Sequence, residues 1–169
     1  MNTEPRYEKR TYALDYTLTS GETGHREIDV AVNIDASPDS VSRARAHCDR
    51  HGYVYAVGVY VAVMRMACTA LQHRDVVSFS ITRTDAPEEF PAMAAPFRDG
   101  AVAEWVDAEG THNRRELAVE LDSNYAQSPY FVTVGHRTYE AASPYVAAYT
   151  AACELLYRLP VEAFTVARA

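Results

Sequence analysis

The side chains best suited by type to do chemistry are histidines beside charged turns. His112 lies in EGTHNRRE and His136 in VGHRTYE, each next to arginine. The ends of sheet strands are common places for a general base, and Asp122 and Glu140 are the nearby carboxylates that would complete a His–carboxylate pair. Glu88 and Glu89 form an acidic pair, but adjacent residues seldom converge on one substrate. His47 and His51 stand at i and i+4, a spacing that brings two imidazoles to one metal on a helix. Asp49 would point elsewhere and Gly52 ends the segment, so no metal site is assigned. Exposed loop histidines are usually inert, and no residue is assigned as catalytic.

The longer motifs of catalysis are absent. The chain has no GxSxG elbow, no Walker loop, no GxGxxG after a strand and no HExxH. Its 7 glycines are scattered, so sequence neighbours cannot build a phosphate-cradling loop. No cofactor is expected. Arg43, His47 and Arg50 fall on one face if their segment is helical, which would make an anion site for phosphate or carboxylate. With Arg45, the same arginines are the one place where nucleic acid would touch. The formal charge of −7 opposes that contact, and opposes anionic membrane equally.

The 12 tyrosines are the more unusual feature, because Tyr offers apolar area with a polar tip and is enriched at interfaces. Tyr53, Tyr55 and Tyr60 cluster mid-chain; Tyr145, Tyr149 and Tyr157 cluster near the end. If a pocket lies between sheet and helices, Tyr53, Tyr60, Trp105, His136 and Tyr149 are its expected lining.

The elements that must position these groups are organised around YVYAVGVYVAVMRMACTAL, residues 53–71, whose only charge is Arg65. Arg65 and the polar flanks oppose a membrane span. Length favours a helix over 53–73, with a strand as the alternative for 53–61. Gly58, Ala62, Arg65, Thr69 and Gln72 form one narrow stripe on that helix, facing a neighbouring helix, a sheet or another subunit.

Alternation of apolar and polar residues predicts strands over 12–18, 27–34, 75–84, 101–107 and 114–121, with shorter ones over 130–136 and 161–168. Ser37 as cap with Pro38 predicts a helix over 37–52. Ser143 and Pro144 repeat that device for a last helix ending before Pro160, with Glu154 and Arg158 spaced as an exposed ion pair. ASPDSVSRARAHC (36–48) and ASPYVAAYTAAC (142–153) look alike. The likeness is mostly helix-start chemistry and the spacing to cysteine differs by one residue, so no repeat is read from it. Residues 86–100 form a Pro-rich connection with Phe90, Met93 and Phe97 as anchors.

A chain of 169 residues without a linker is expected to be one domain, with residues 1–9 loose. Cys48, Cys68 and Cys153 are scattered and read as reduced, buried thiols. The N-terminal stretch has no apolar segment of the signal-peptide kind, and a cytoplasmic location is expected. The fold class is α+β: an antiparallel sheet of about five to seven strands with two apolar helices on one face, in the order β-β-α-α-β-β-β-β-α-β. The two helices have more apolar surface than one sheet face covers. The expected function is therefore a non-catalytic, self-associating structural or interaction subunit, a homo-oligomer or the subunit of a protein partner. The alternative is a small enzyme or small-molecule-binding protein.

Overall fold

Alternating side chains build the first sheet. In β1 (Tyr7–Leu18), Tyr12, Leu14 and Tyr16 point inward and are buried; in β2 (Thr23–Asn33), Ile28, Val30 and Val32 do the same. The turn between them passes through Gly21 at φ 89°, a backbone state that glycine enters without strain. The protein is described by a computed structural model that covers residues 4–87 and 100–169. The elements that follow are β3 (Ala44–His47), a 3-10 turn (Asp49–His51), β4 (Tyr53–Ala56), α1 (Val59–Leu71) and β5 (Val76–Arg83). The sheet is antiparallel, in the order β4-β3-β2-β1-β5.

The second sheet repeats the plan. It contains β6 (Gly100–Val106), β7 (His112–Leu121), β8 (Tyr130–Val134) and β9 (Arg137–Ala141), then α2 (Pro144–Leu156) and β10 (Phe164–Arg168). Its order is β10-β6-β7-β8-β9. The α+β class, the antiparallel pairing and the two apolar helices agree with the sequence reading. The strands divide into two five-stranded sheets, one for each helix, where a single sheet was expected. The Pro-rich segment and its Phe90, Met93 and Phe97 anchors lie outside the described residues, as do Glu88 and Glu89.

Three elements differ from expectation. The segment 37–52 is a turn, the strand β3 and the 3-10 turn in place of a helix. Ser37 bonds the Asp39 carboxylate instead of capping a helix. Ala44 and Ala46 face the core while Arg45 and His47 face out, so pairing with β2 overrides the helix preference of Ala and Arg. The strand alternative holds for the start of the apolar run: 53–56 is β4, and the helix begins only after Gly58, whose backbone is extended. β1 starts at Tyr7, within the segment expected to be loose, and Arg6 pairs with Asp35 at 2.8 Å.

The two halves are copies of one unit. Both sheets follow the same path: the unit's first four strands lie in chain order and the strand after the helix joins the open edge of the first. At one constant offset, Tyr60, Val61, Ala62, Ala67, Cys68 and Leu71 of α1 match Tyr145, Val146, Ala147, Ala152, Cys153 and Leu156 of α2. All twelve are buried. The match continues through Val76 and Val161, Phe79 and Phe164, and Arg83 and Arg168. The earlier likeness of 36–48 to 142–153 was in the wrong register: the true counterpart of the last helix is α1.

The copies interlock reciprocally. The Val57 N–H donates to the Tyr157 carbonyl at 2.9 Å, and at the matching positions the Ala142 N–H donates to Gln72 at 2.8 Å. Tyr60 meets Phe164 edge-on with centroids 5.0 Å apart; its counterpart Tyr145 meets Phe79 at the same separation. Each helix packs on its own sheet, on the other helix and on the last strand of the other half. No residue of either helix is exposed, so the apolar excess read from the sequence is covered within one chain. Among the described residues no helix is long and apolar enough to cross a membrane.

The polar stripe of α1 faces the end of α2. The Arg65 Nε donates to the Glu154 Oε1 at 2.9 Å and its Nη1 to the Tyr55 carbonyl at 2.8 Å, and its guanidinium stacks 4.2 Å from the Tyr157 ring centroid. Glu154 therefore pairs with Arg65, where the sequence suggested Arg158. Arg65→Ala is expected to cost about 2 kcal/mol, the usual range for half-buried charged hydrogen bonds, against no more than about 0.5 kcal/mol for exposed Arg158→Ala. Urea midpoints at unchanged slope will check the contrast.

Candidate functional site

The sequence-derived candidates do not gather in one place. Tyr60 and Tyr149 are core residues, and burial pushes the Tyr60 hydroxyl far above its ordinary range, which removes it from acid–base work. Trp105 is half-buried on β6, directly across from Phe164. His136 is exposed in the β8–β9 turn, and Tyr53 stands on the outer face of the first sheet. Arg43 donates to the Val57 carbonyl at 3.3 Å, His47 lies on β3 and Arg50 sits in the 3-10 turn, so the shared helical face proposed for them does not form. His47 and His51 likewise lack the helix that would align them.

The His–carboxylate pair that does form is another one. The His25 Nδ1 lies 2.8 Å from the Asp15 Oδ1 across β1 and β2, both exposed. Ser80 is the cross-strand partner of Asp15 on β5. The order Ser–Asp–His places the carboxylate between hydroxyl and imidazole, whereas nucleophile activation requires the imidazole in the middle. Cys48 and Cys153 are not poised either: burial raises both thiols, the reverse of what a reactive cysteine needs.

What the first sheet does assemble is an aromatic and cationic face. Alternation sends Tyr53 and Tyr55 outward from β4, Arg45 and His47 from β3, and Lys9 from β1. Pairing aligns them in two rows, Tyr55–Arg45–Ala31–Lys9 and Tyr53–His47–Asp29–Thr11. The Arg45 guanidinium lies 4.9 Å from the Tyr53 ring centroid and 5.7 Å from that of Tyr7; His47 stacks on Tyr53 at 4.8 Å. The small side chain of Ala31 leaves a depression of about 390 Å³ between Lys9, Arg45 and Tyr53. Tyr53 is 58% exposed, Tyr7 46% and Tyr55 41%, a large aromatic area to leave in water.

The same positions in the second half are different. By the offset that matches the helices, Tyr53 and Tyr55 correspond to Thr138 and Glu140 on β9; by pairing, Arg45 corresponds to Phe131. The halves agree in their core and differ on this face. Sequence reasoning named Tyr53, Arg45 and His47 separately but missed Tyr7, which shares their face only through strand register.

The fold and its outer face define an α+β protein built from two pseudo-equivalent halves, with one tyrosine-rich surface. No protein family matches the chain, and neither does any curated protein or solved structure.

Proposed function

We propose that this chain is a non-catalytic interaction subunit that associates with a second copy of itself through the Tyr7, Tyr53, Tyr55 and Arg45 face of the first sheet. The observation that carries this reading is the exposed aromatic cluster, present in one half and replaced by Thr138 and Glu140 in the other. Tyr and Arg are the residue types that dominate binding energy at protein interfaces. A face holding both a guanidinium and the rings it stacks on is self-complementary: about a two-fold axis, Arg45 of each copy meets the tyrosines of the other. Asp29 within the rows and the overall negative charge oppose nucleic acid as the occupant.

Light scattering coupled to size exclusion tests this. The wild type is expected to run as a dimer at high micromolar concentration. Tyr53→Ser with Tyr55→Ser is expected to give a monomer with an unchanged urea midpoint, since both rings are exposed. A wild type that stays monomeric, or a double variant that still dimerises, contradicts the proposal.

A further inference from the structure

The repeated architecture builds one cleft twice, and the two copies differ in how their aromatic ring is covered. In the first half Tyr16 sits across from Gly24 on one side and Phe79 on the other; in the second Trp105 sits across from Asn113 and Phe164. Gly24 has no side chain, and the Tyr16 ring lies over it: a Cβ there would fall 2.1 Å from the ring. The Arg74 guanidinium covers the same ring, 5.6 Å from its centroid, and Tyr16 is left 5% exposed. The Tyr16 ring is thus covered by its own cation, and the opening that remains beside it, about 630 Å³, is bordered by Asp15, Thr17, His25 and Ser80.

The Trp105 ring lacks both covers, and the opening beside it is the larger of the two. Asn113 fills the position of Gly24 and is fixed there, its Nδ2 donating to the Asp107 Oδ2 at 3.1 Å and the Thr111 carbonyl at 3.0 Å. The Trp105 ring cannot fold across it and remains half-exposed as the wall of a cavity of about 880 Å³, which Pro160 and Val106 also line. Arg74 corresponds to Leu159 by the offset that matches the helices. Among the described residues no side-chain cation stacks on Trp105. Glu104, Asp107 and Glu162 border the opening, and so do His112 and Arg114, whose guanidinium lies 3.9 Å from the Glu116 carboxylate.

We infer that the cleft beside Trp105 binds a small organic cation, a guanidinium, amidinium or ammonium on an apolar body, whose charge takes the place over the ring that Arg74 holds over Tyr16. The indole face attracts the cation, Val106 and Pro160 take the apolar body, and the carboxylates of Glu104, Asp107 and Glu162 outnumber the guanidinium of Arg114 at the opening. This site is separate from the tyrosine face and stands or falls independently of the association proposed above.

The protein has a single tryptophan, so its emission reports on this cleft alone. Titration with benzamidinium is expected to change Trp105 fluorescence saturably, about tenfold more tightly than the isosteric anion benzoate. Glu162→Gln, at an exposed position, is expected to weaken benzamidinium about threefold, and Leu159→Arg, which restores the missing cation, to abolish saturation. Circular dichroism will establish that both variants are folded. Linear quenching equal to that of free N-acetyl-tryptophanamide, equal affinity for benzoate, or unchanged binding in Leu159→Arg would overturn the inference.

Discussion

Phe164→Ala is expected to lower the unfolding free energy by about 4 kcal/mol, and Phe79→Ala by at least as much. Both rings are fully packed, and each lies against the helix of the opposite half. Phe164 meets Tyr60 edge-on at 5.0 Å; Phe79 meets Tyr145 at 5.0 Å and Tyr149 at 5.2 Å. Truncating either one removes buried area and opens a cavity at the seam, where the surrounding backbone is held on both sides and relaxes little. Domains of this size are stable by roughly 5–15 kcal/mol, so either change consumes a large fraction. Because the contacts cross between halves, the loss is shared. Urea unfolding of each variant followed by far-ultraviolet circular dichroism and by Trp105 emission should give coincident single transitions. A variant in which the Trp105 transition separates from the overall one would mean that the halves fold independently.

Gly58→Ala is the second large effect, expected at about 3 kcal/mol, with the sign set by a close approach rather than by backbone strain. Gly58 precedes α1 with φ −93° and ψ 142°, which any residue can adopt, but a Cβ there would lie 2.2 Å from the Val161 carbonyl oxygen. That oxygen belongs to the backbone leading into β10 and cannot swing aside as a side-chain tip would. The other half shows how the same junction accepts a side chain. Ser143 stands at the matching position, and its Oγ donates to the Val76 carbonyl at 2.5 Å while accepting from the Tyr145 N–H at 3.2 Å. A contact that would clash at one junction is a hydrogen bond at the other. Calorimetry of Gly58→Ala should show a melting temperature several degrees lower, and Gly58→Ser less of a loss than Gly58→Val.

Much of the fold was legible because half-buried strands carry their burial in the sequence. The alternation in 12–18, 27–34 and 114–121 reappears in β1, β2 and β7, and Ser143 with Pro144 opens α2 as its capping chemistry requires. The elements that were missed carry weak or misleading local signals. β9, RTYEA, has little apolar alternation and exists because β8 pairs with it. β3 is rich in helix formers and is a strand because β2 pairs with it. β4 lay in an apolar run whose length favoured helix, and only the strand alternative for 53–61 anticipated it.

The duplication was present in the spacing of Tyr-Val-Ala, Ala-Cys, Leu, Val and Phe, all core residues. Outer faces have no packing partner to hold them alike, so the halves diverge there and the overall likeness fades. The expected self-association rested on a surplus of apolar helix surface, and that surplus needs no second subunit. The partner that meets it is the other half of the same chain. Of the candidate face, Tyr53, Arg45 and His47 were visible as residue types. Their assembly was not, since it depends on register across four strands. The Asp15–His25 pair was invisible for the same reason.

Hydrogen exchange at two protein concentrations tests the central claim most directly, because it separates surface used within the chain from surface left for a second copy. The account predicts that the amides of α1 and α2 are strongly protected in dilute solution and unchanged on concentration, while β3 and β4 gain protection as copies associate. Helices that exchange freely when dilute and become protected only when concentrated would contradict it, placing the association at the apolar helices and not at the tyrosine face.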